Sequence, residues 1–136
     1  MNGTLYGTTA FGGVYGGGTV FAIDPDTGVE TVSYAFCSQQ DCTDGKDPSG
    51  LLNVNDMLYG TTRLGGTNTD CDSSGCGTVF ALDPGTGHES VLHSFPGSGA
   101  DGELPGGDLL AVKRALYGVT GEGGAYGGGV VFAITR

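Results

Sequence analysis

Three observations predict an all-β, propeller-type repeat of four-stranded antiparallel blades, with about two and a half blades in this 136-residue chain. "LYGTT" stands at Leu5–Thr9, returns unchanged at Leu58–Thr62 and comes back as "LYGVT" at Leu116–Thr120. Each copy leads through a glycine-rich loop into a second shared run, "TVFAI", "TVFAL" or "VVFAI". No window shows the 3.6-residue period of an amphipathic helix, so essentially no helix is expected.

Taken in chain order, one period supplies four short strands. "LLNV" (Leu51–Val54) turns through Asn55-Asp56 into "MLYGTT", a two-residue hairpin signal. After the glycine-rich loop comes "TVFA", apolar at successive positions, so both of its faces should be buried. Pro25-Asp26-Thr27-Gly28 and Pro84-Gly85-Thr86-Gly87 then carry turn chemistry, proline presetting φ and glycine taking the positive-φ position. The fourth strand alternates, with Val32, Tyr34 and Phe36 on one side. Four-stranded units whose faces are covered by neighbouring copies are propeller blades. The shared strand recurs because every blade needs it, with glycines such as Gly60 letting backbones approach closely.

The period is about fifty-five residues: Leu5 to Leu58 is 53 and Leu58 to Leu116 is 58. The chain reads as a single repeat domain, 1–136, with units at approximately 2–54, 55–112 and a partial 113–136. Its first copy lacks the "LLNV" strand and its last lacks the fourth, giving about ten strands. Closed propellers need at least four blades, so the ends are expected to pair with another chain or with further repeats.

Composition narrows the function. Glycine makes up 29 of 136 residues without a strict three-residue period, which excludes collagen. Fifteen acidic against five basic residues give a net charge of −10, which would repel a phosphate backbone, so no nucleic acid partner is expected. No run approaches the ~18 apolar residues of a membrane span. "NGTLYGTT" follows Met1 directly, so any export signal is expected to lie outside this sequence.

The run "LYGTT…GG…GGGTVFAIDP" followed by "TG" resembles the GloVer tandem repeats of bacterial surface and secreted proteins and, more distantly, kelch repeats with their Gly-Gly doublet. The resemblance covers nearly the whole chain. It implies a propeller-like extracellular array, often attached to an anchoring tail, and it brings no catalytic residues with it.

Cysteine gives the strongest site-level signal. Cys37/Cys42 and Cys71/Cys76 form two local pairs. Leu58 to Val79 spans 21 residues where the other copies span 15, and Cys71 and Cys76 bracket that insertion. Two local disulfides explain the pattern and imply an oxidising compartment, secreted or cell-surface. The alternative is one metal site shared by all four cysteines, although zinc sites more often use two-residue gaps.

"DCDSSG" (Asp70–Gly75) opens like a calcium loop, but the twelfth position from Asp70 is Ala81, which rules out an EF-hand. A looser calcium site of Asp70, Asp72 and Ser74 stands beside the plain reading of a polar loop tip. No other cofactor is expected. Asp44 and Asp101, each in an Asp-Gly step, read as turn formers. Tyr15 and Tyr126 hold equivalent places in "GGVYGGG" and "GGAYGGG". They would either stack on sugar rings or pack against the next blade.

No catalytic motif is present. His88 falls in a turn, and His93 takes the place of Tyr34 in the other copy, which reads as surface filler. The expected function is a non-catalytic extracellular module that self-assembles as a homo-oligomer, ring or filament, through its terminal strands. The alternative is an adhesion-type module that binds an extracellular glycan or protein.

Overall fold

A computed structural model describes residues 3–68, 70–71, 74–97 and 101–136. Ten strands run along these residues: β1 Leu5–Thr9, β2 Thr19–Ile23, β3 Glu30–Ala35, β4 Lys46–Val54, β5 Met57–Leu64, β6 Thr78–Asp83, β7 His88–Ser94, β8 Glu103–Val112, β9 Ala115–Glu122 and β10 Val131–Thr135. The one helical feature among them is a 3-10 turn at Gln40–Cys42.

The strands form three antiparallel sheets, ordered β1-β2-β3, β4-β5-β6-β7 and β8-β9-β10. Only the middle sheet has all four strands expected of a repeat. The first strand of each unit pairs forward, Val54 opposite Met57 and Val112 opposite Ala115. Sequence units and sheets are therefore offset by one strand. Both first strands also begin earlier than their apolar runs, at Lys46 and Glu103.

Local chemistry explains the recurring letters. A Cβ on Gly7, Gly60 or Gly118 would lie 2.6, 2.7 or 2.5 Å from the ring of Phe21, Phe80 or Phe132. The glycine is thus a seat for the ring of the next strand; a close backbone, Gly50 O, is added only at Gly60. The last threonine of the motif ties the same two strands. Thr9, Thr62 and Thr120 accept through Oγ1 from the backbone N–H of Thr19, Thr78 and Val130 at 3.0, 3.1 and 3.0 Å.

Turns follow the sequence closely. Asn55 and Asp56 have φ of 52° and 65°, the left-handed pair that a two-residue hairpin needs. At the next turn, Asp24 Oδ1 accepts from Asp26 N, and Asp83 Oδ1 from Gly85 N, both at 2.9 Å.

Neighbouring sheets pack face against face. Val20 and Phe36, with Tyr6 and Tyr34, meet Leu58, Phe80 and Leu82 between the first and second sheets. Tyr59, Val79, Ala81 and Phe95 meet Leu109, Leu116 and Phe132 between the second and third. β6 is consequently covered on both sides, as its unbroken apolar run requires. β2 and β10 carry the same run but are only partly covered.

Candidate functional site

The residues that distinguish this chain from a bare stack of sheets gather at the two inter-sheet junctions, which are built alike. Asp47 N donates to Gly17 O and Leu104 N to Cys76 O, both at 2.9 Å, one bond across each junction. The two donors sit at φ of 60° and 55° and are each followed by proline. A left-handed residue is uncommon for aspartate and costly for leucine. Both junctions use this same left-handed residue to aim the bond.

An aromatic ladder crosses each junction at the same height. Tyr34 meets Phe36 edge-on at 4.9 Å, and Phe36 meets Phe80 at 5.0 Å. His93 meets Phe95 at 4.7 Å, and Phe95 meets Phe132 at 5.1 Å. Edge-to-face contacts at these separations favour the geometry beyond simple area burial.

Each ladder starts from an aromatic held by an aspartate. Tyr34 OH donates to Asp44 Oδ2 at 2.9 Å, and His93 Nε2 lies 2.7 Å from Asp101 Oδ2. His93 is therefore a half-buried tether and not surface filler: imidazole replaces phenol because either ring can reach the carboxylate. Asp44 does more than form a turn. It is buried and also accepts from Ser38 N, Ser38 Oγ and Gln39 N at 3.0, 3.0 and 3.3 Å. His88, expected in a turn, opens β7 and is exposed.

Glu89 completes the first junction from β7. Desolvation pushes its carboxyl up to about 8, and the nearby charge of Asp44 adds to the effect while Tyr34 opposes it. Glu89 Oε1 is buried and finds no hydrogen-bond partner among the described residues. Tyr34 is raised as well, chiefly by its own burial. Sequence reasoning missed this group. The signal was the spacing shared by Glu30-x3-Tyr34 and Glu89-x3-His93, which only matters once the sheets are stacked.

Both disulfides close their own loops, Cys37 to Cys42 and Cys71 to Cys76. Their sulfurs are thereby committed, and the shared four-cysteine metal site is not formed. The second disulfide lies at a junction, with Glu103 of β8 placing Oε2 2.6 Å from Cys71 Sγ. Gly97 makes room for it, since a Cβ there would lie 2.6 Å from Cys71 Sγ. Disulfides of this kind fit an oxidising environment.

The other candidates are not brought together. Asp70 is exposed, Ser74 is half-buried and Asp72 lies outside the described residues, so no calcium geometry is defined. Tyr15 and Tyr126 are both exposed and do not pack on a neighbouring sheet. Their loops match: Gly16 N donates to Gly13 O and Gly127 N to Gly124 O, each at 3.2 Å. A cavity of about 480 Å³ opens between the two disulfide-bearing loops, lined by Asp41, Thr43, Lys46, Thr67 and Ser74 among others. Neither tyrosine reaches it. Among the described residues no helix is long and apolar enough to cross a membrane.

Stacked antiparallel sheets, joined by one recurring backbone bond and one recurring aromatic ladder, define an all-β tandem-repeat protein. The model of the Gloeobacter/Verrucomicrobia repeat matches residues 1–136, and the chain belongs to that family. No curated protein matches it.

Proposed function

We propose that this chain is a non-catalytic, extracellular structural module. In this reading its three sheets act as blades of a propeller-like array, and its terminal strands carry self-assembly. The single observation behind this is the difference between the sheets. β1 pairs only with β2 and β10 only with β9 among the described residues, while the middle sheet has a fourth strand. Open edges with few charges template pairing with other chains. A role without catalysis fits the tie of His93 to Asp101 at the place where the other copy uses tyrosine. Light scattering and sedimentation of the purified chain test the reading. A homo-oligomer is expected, and a stable monomer at high concentration overturns it.

The exposure of Tyr15 and Tyr126 on matching loops favours a second reading, an adhesion module that stacks sugar rings on repeated aromatic tips. Glycan-array binding lost on Tyr126→Ala would put this reading first.

A further inference from the structure

We propose that Glu89, Tyr34 and Asp44 form a pH-sensitive latch between the first and second sheets, closed while Glu89 carries its proton and released when it ionises. The inference concerns a junction inside one chain, so it stands apart from the self-assembly reading.

Placement comes first. Glu89 lies opposite Leu82 in the β6–β7 register, and Leu82 is fully buried in the core between these two sheets. The turn ahead of β7 also comes close to the first sheet: a Cβ on Gly87 would sit 3.5 Å from Ser33 O. The side chain of Glu89 therefore faces the first sheet from the last strand of the second. Its repeat counterpart on β3, Glu30, is exposed. The covered carboxyl is a product of the junction and not of the repeat.

Hydrogen-bond supply decides what that carboxyl can do. Glu89 Oε1 is buried without a hydrogen-bond partner among the described residues. Tyr34 of β3 is the hydrogen-bonding group that acts on Glu89, and Asp44 of the loop before β4 is the charge that does. The partner strand β6 contributes the apolar Leu82, and no Lys, Arg or His among the described residues offsets a negative charge there. A tyrosine hydroxyl holds a single proton. Tyr34 donates it to Asp44 Oδ2 at 2.9 Å, and Ser38 Oγ, 2.9 Å from the same hydroxyl, bonds that oxygen too at 3.0 Å.

A protonated Glu89 can donate to the Tyr34 oxygen, so each group in the row has a partner. An ionised Glu89 can only accept. Two carboxylates then compete for one hydroxyl proton where water reaches only part of the group, and like charges repel more strongly there than in solvent. Burial holds the Glu89 carboxyl well above its ordinary range for the same reason. Separating the sheets returns an ionised Glu89 to water. The latch is therefore complete below pH 4.5 and weakens as pH rises through about 8. The second junction is tethered differently, by His93 on a partly exposed Asp101.

Hydrogen exchange of the oxidised chain, read residue by residue by NMR at about pH 5.5 and about pH 8.5 and corrected for intrinsic exchange, provides the test. The amides of Asp47 and Leu104 report on the first and second junctions, since each donates across one of them. Protection at Asp47 should fall about fivefold between the two conditions, beyond any change at Leu104. Glu89→Gln keeps the shape and cannot ionise, so it should abolish that fall. Glu89→Met gives the same readout if the glutamine variant folds poorly. Protection at Asp47 that does not fall, or that falls as far in these variants, overturns the latch. Equal falls at Asp47 and Leu104, both removed by Glu89→Gln, overturn it as well, because Glu89 would then weaken the whole fold and not one junction.

Discussion

Phe80 and Phe21 occupy the same position in consecutive copies of the repeat, over equivalent glycines, yet Phe80 is fully buried and Phe21 only half covered. The rings and their seats are alike; the neighbours are not. Phe80 receives Phe36 from the preceding sheet, while nothing described in the chain precedes Phe21 on its outer face. Burial in this protein is therefore a property of the stack and not of the repeat. The same holds for Leu58 against Leu5 and for Val79 against Val131. One sequence pattern yields a core residue in the middle sheet and an exposed residue in the first or third.

The largest effect that would break this comparison is on the ring itself. Phe80→Ala should lower stability by about 3–5 kcal/mol, the usual cost of emptying a buried aromatic site. Phe21→Ala should lower it by less than about half as much, because solvent already reaches that ring. Urea denaturation of the two variants measures the difference, and equal losses would mean that each sheet holds its own ring without help from a neighbour.

The two tethers sharpen the comparison at a smaller scale. Asp44 is buried and accepts from four donors, whereas the Asp101 side chain is 42% exposed and meets one imidazole. Removing Asp44 with alanine should cost about 2–3 kcal/mol, since several donors would be left unpaired. Asp101→Ala should stay within about 1 kcal/mol, in the range of exposed ion pairs. Unfolding midpoints that ranked Asp101 above Asp44 would show that burial does not set the weight of these tethers.

Disulfide removal comes next. Closing a six-residue loop is worth about 2 kcal/mol by chain entropy. Paired Cys37→Ser and Cys42→Ser substitutions should remove about that amount. Non-reducing peptide mapping of the parent chain should show each cysteine joined within its own loop, and a Cys37–Cys71 peptide would contradict the structure.

The smallest effect is on pH dependence at the first junction. Burial raises the Glu89 carboxyl from its ordinary 4.5 to about 8, so the folded state favours the protonated form. The contribution is then complete below pH 4.5 and is lost as pH rises from 4.5 through about 8. Glu89→Gln, neutral at every pH, should flatten that part of the stability profile and stabilise the protein by about 1 kcal/mol above pH 8. Full burial would give more, but water still reaches part of the group. Thermal unfolding followed from pH 4 to 9 measures the slope. A profile unchanged by the substitution would place the proton elsewhere.

Much of the architecture was legible before folding. The Leu-Tyr-Gly-x-Thr strand, the two-residue turn at Asn55-Asp56, the Asp-Pro turns, the ten strands and the two local disulfides all depend on residues close in sequence. Turn dihedrals and short loop closure are local physics, and local physics repeats whenever the letters repeat. Alternation along the fourth strand did not carry through: a register shift between Val20 and Phe21 puts Val32 on the face of Phe21, opposite Tyr34 and Phe36. What stayed hidden depends on partners far along the chain. Asp44 reads as a turn former until Tyr34, Ser38 and Gln39 converge on its carboxylate. His93 reads as filler until Asp101 is beside it, and Glu89 gives no sign of its raised carboxyl until the first sheet covers it. The shared Val-Phe-Ala run specified by itself that both faces can be buried; only stacking decided that β6 is covered twice and β10 once. Hydrophobic burial is set by the area a neighbour removes from water, and a sequence does not state which neighbour it will have.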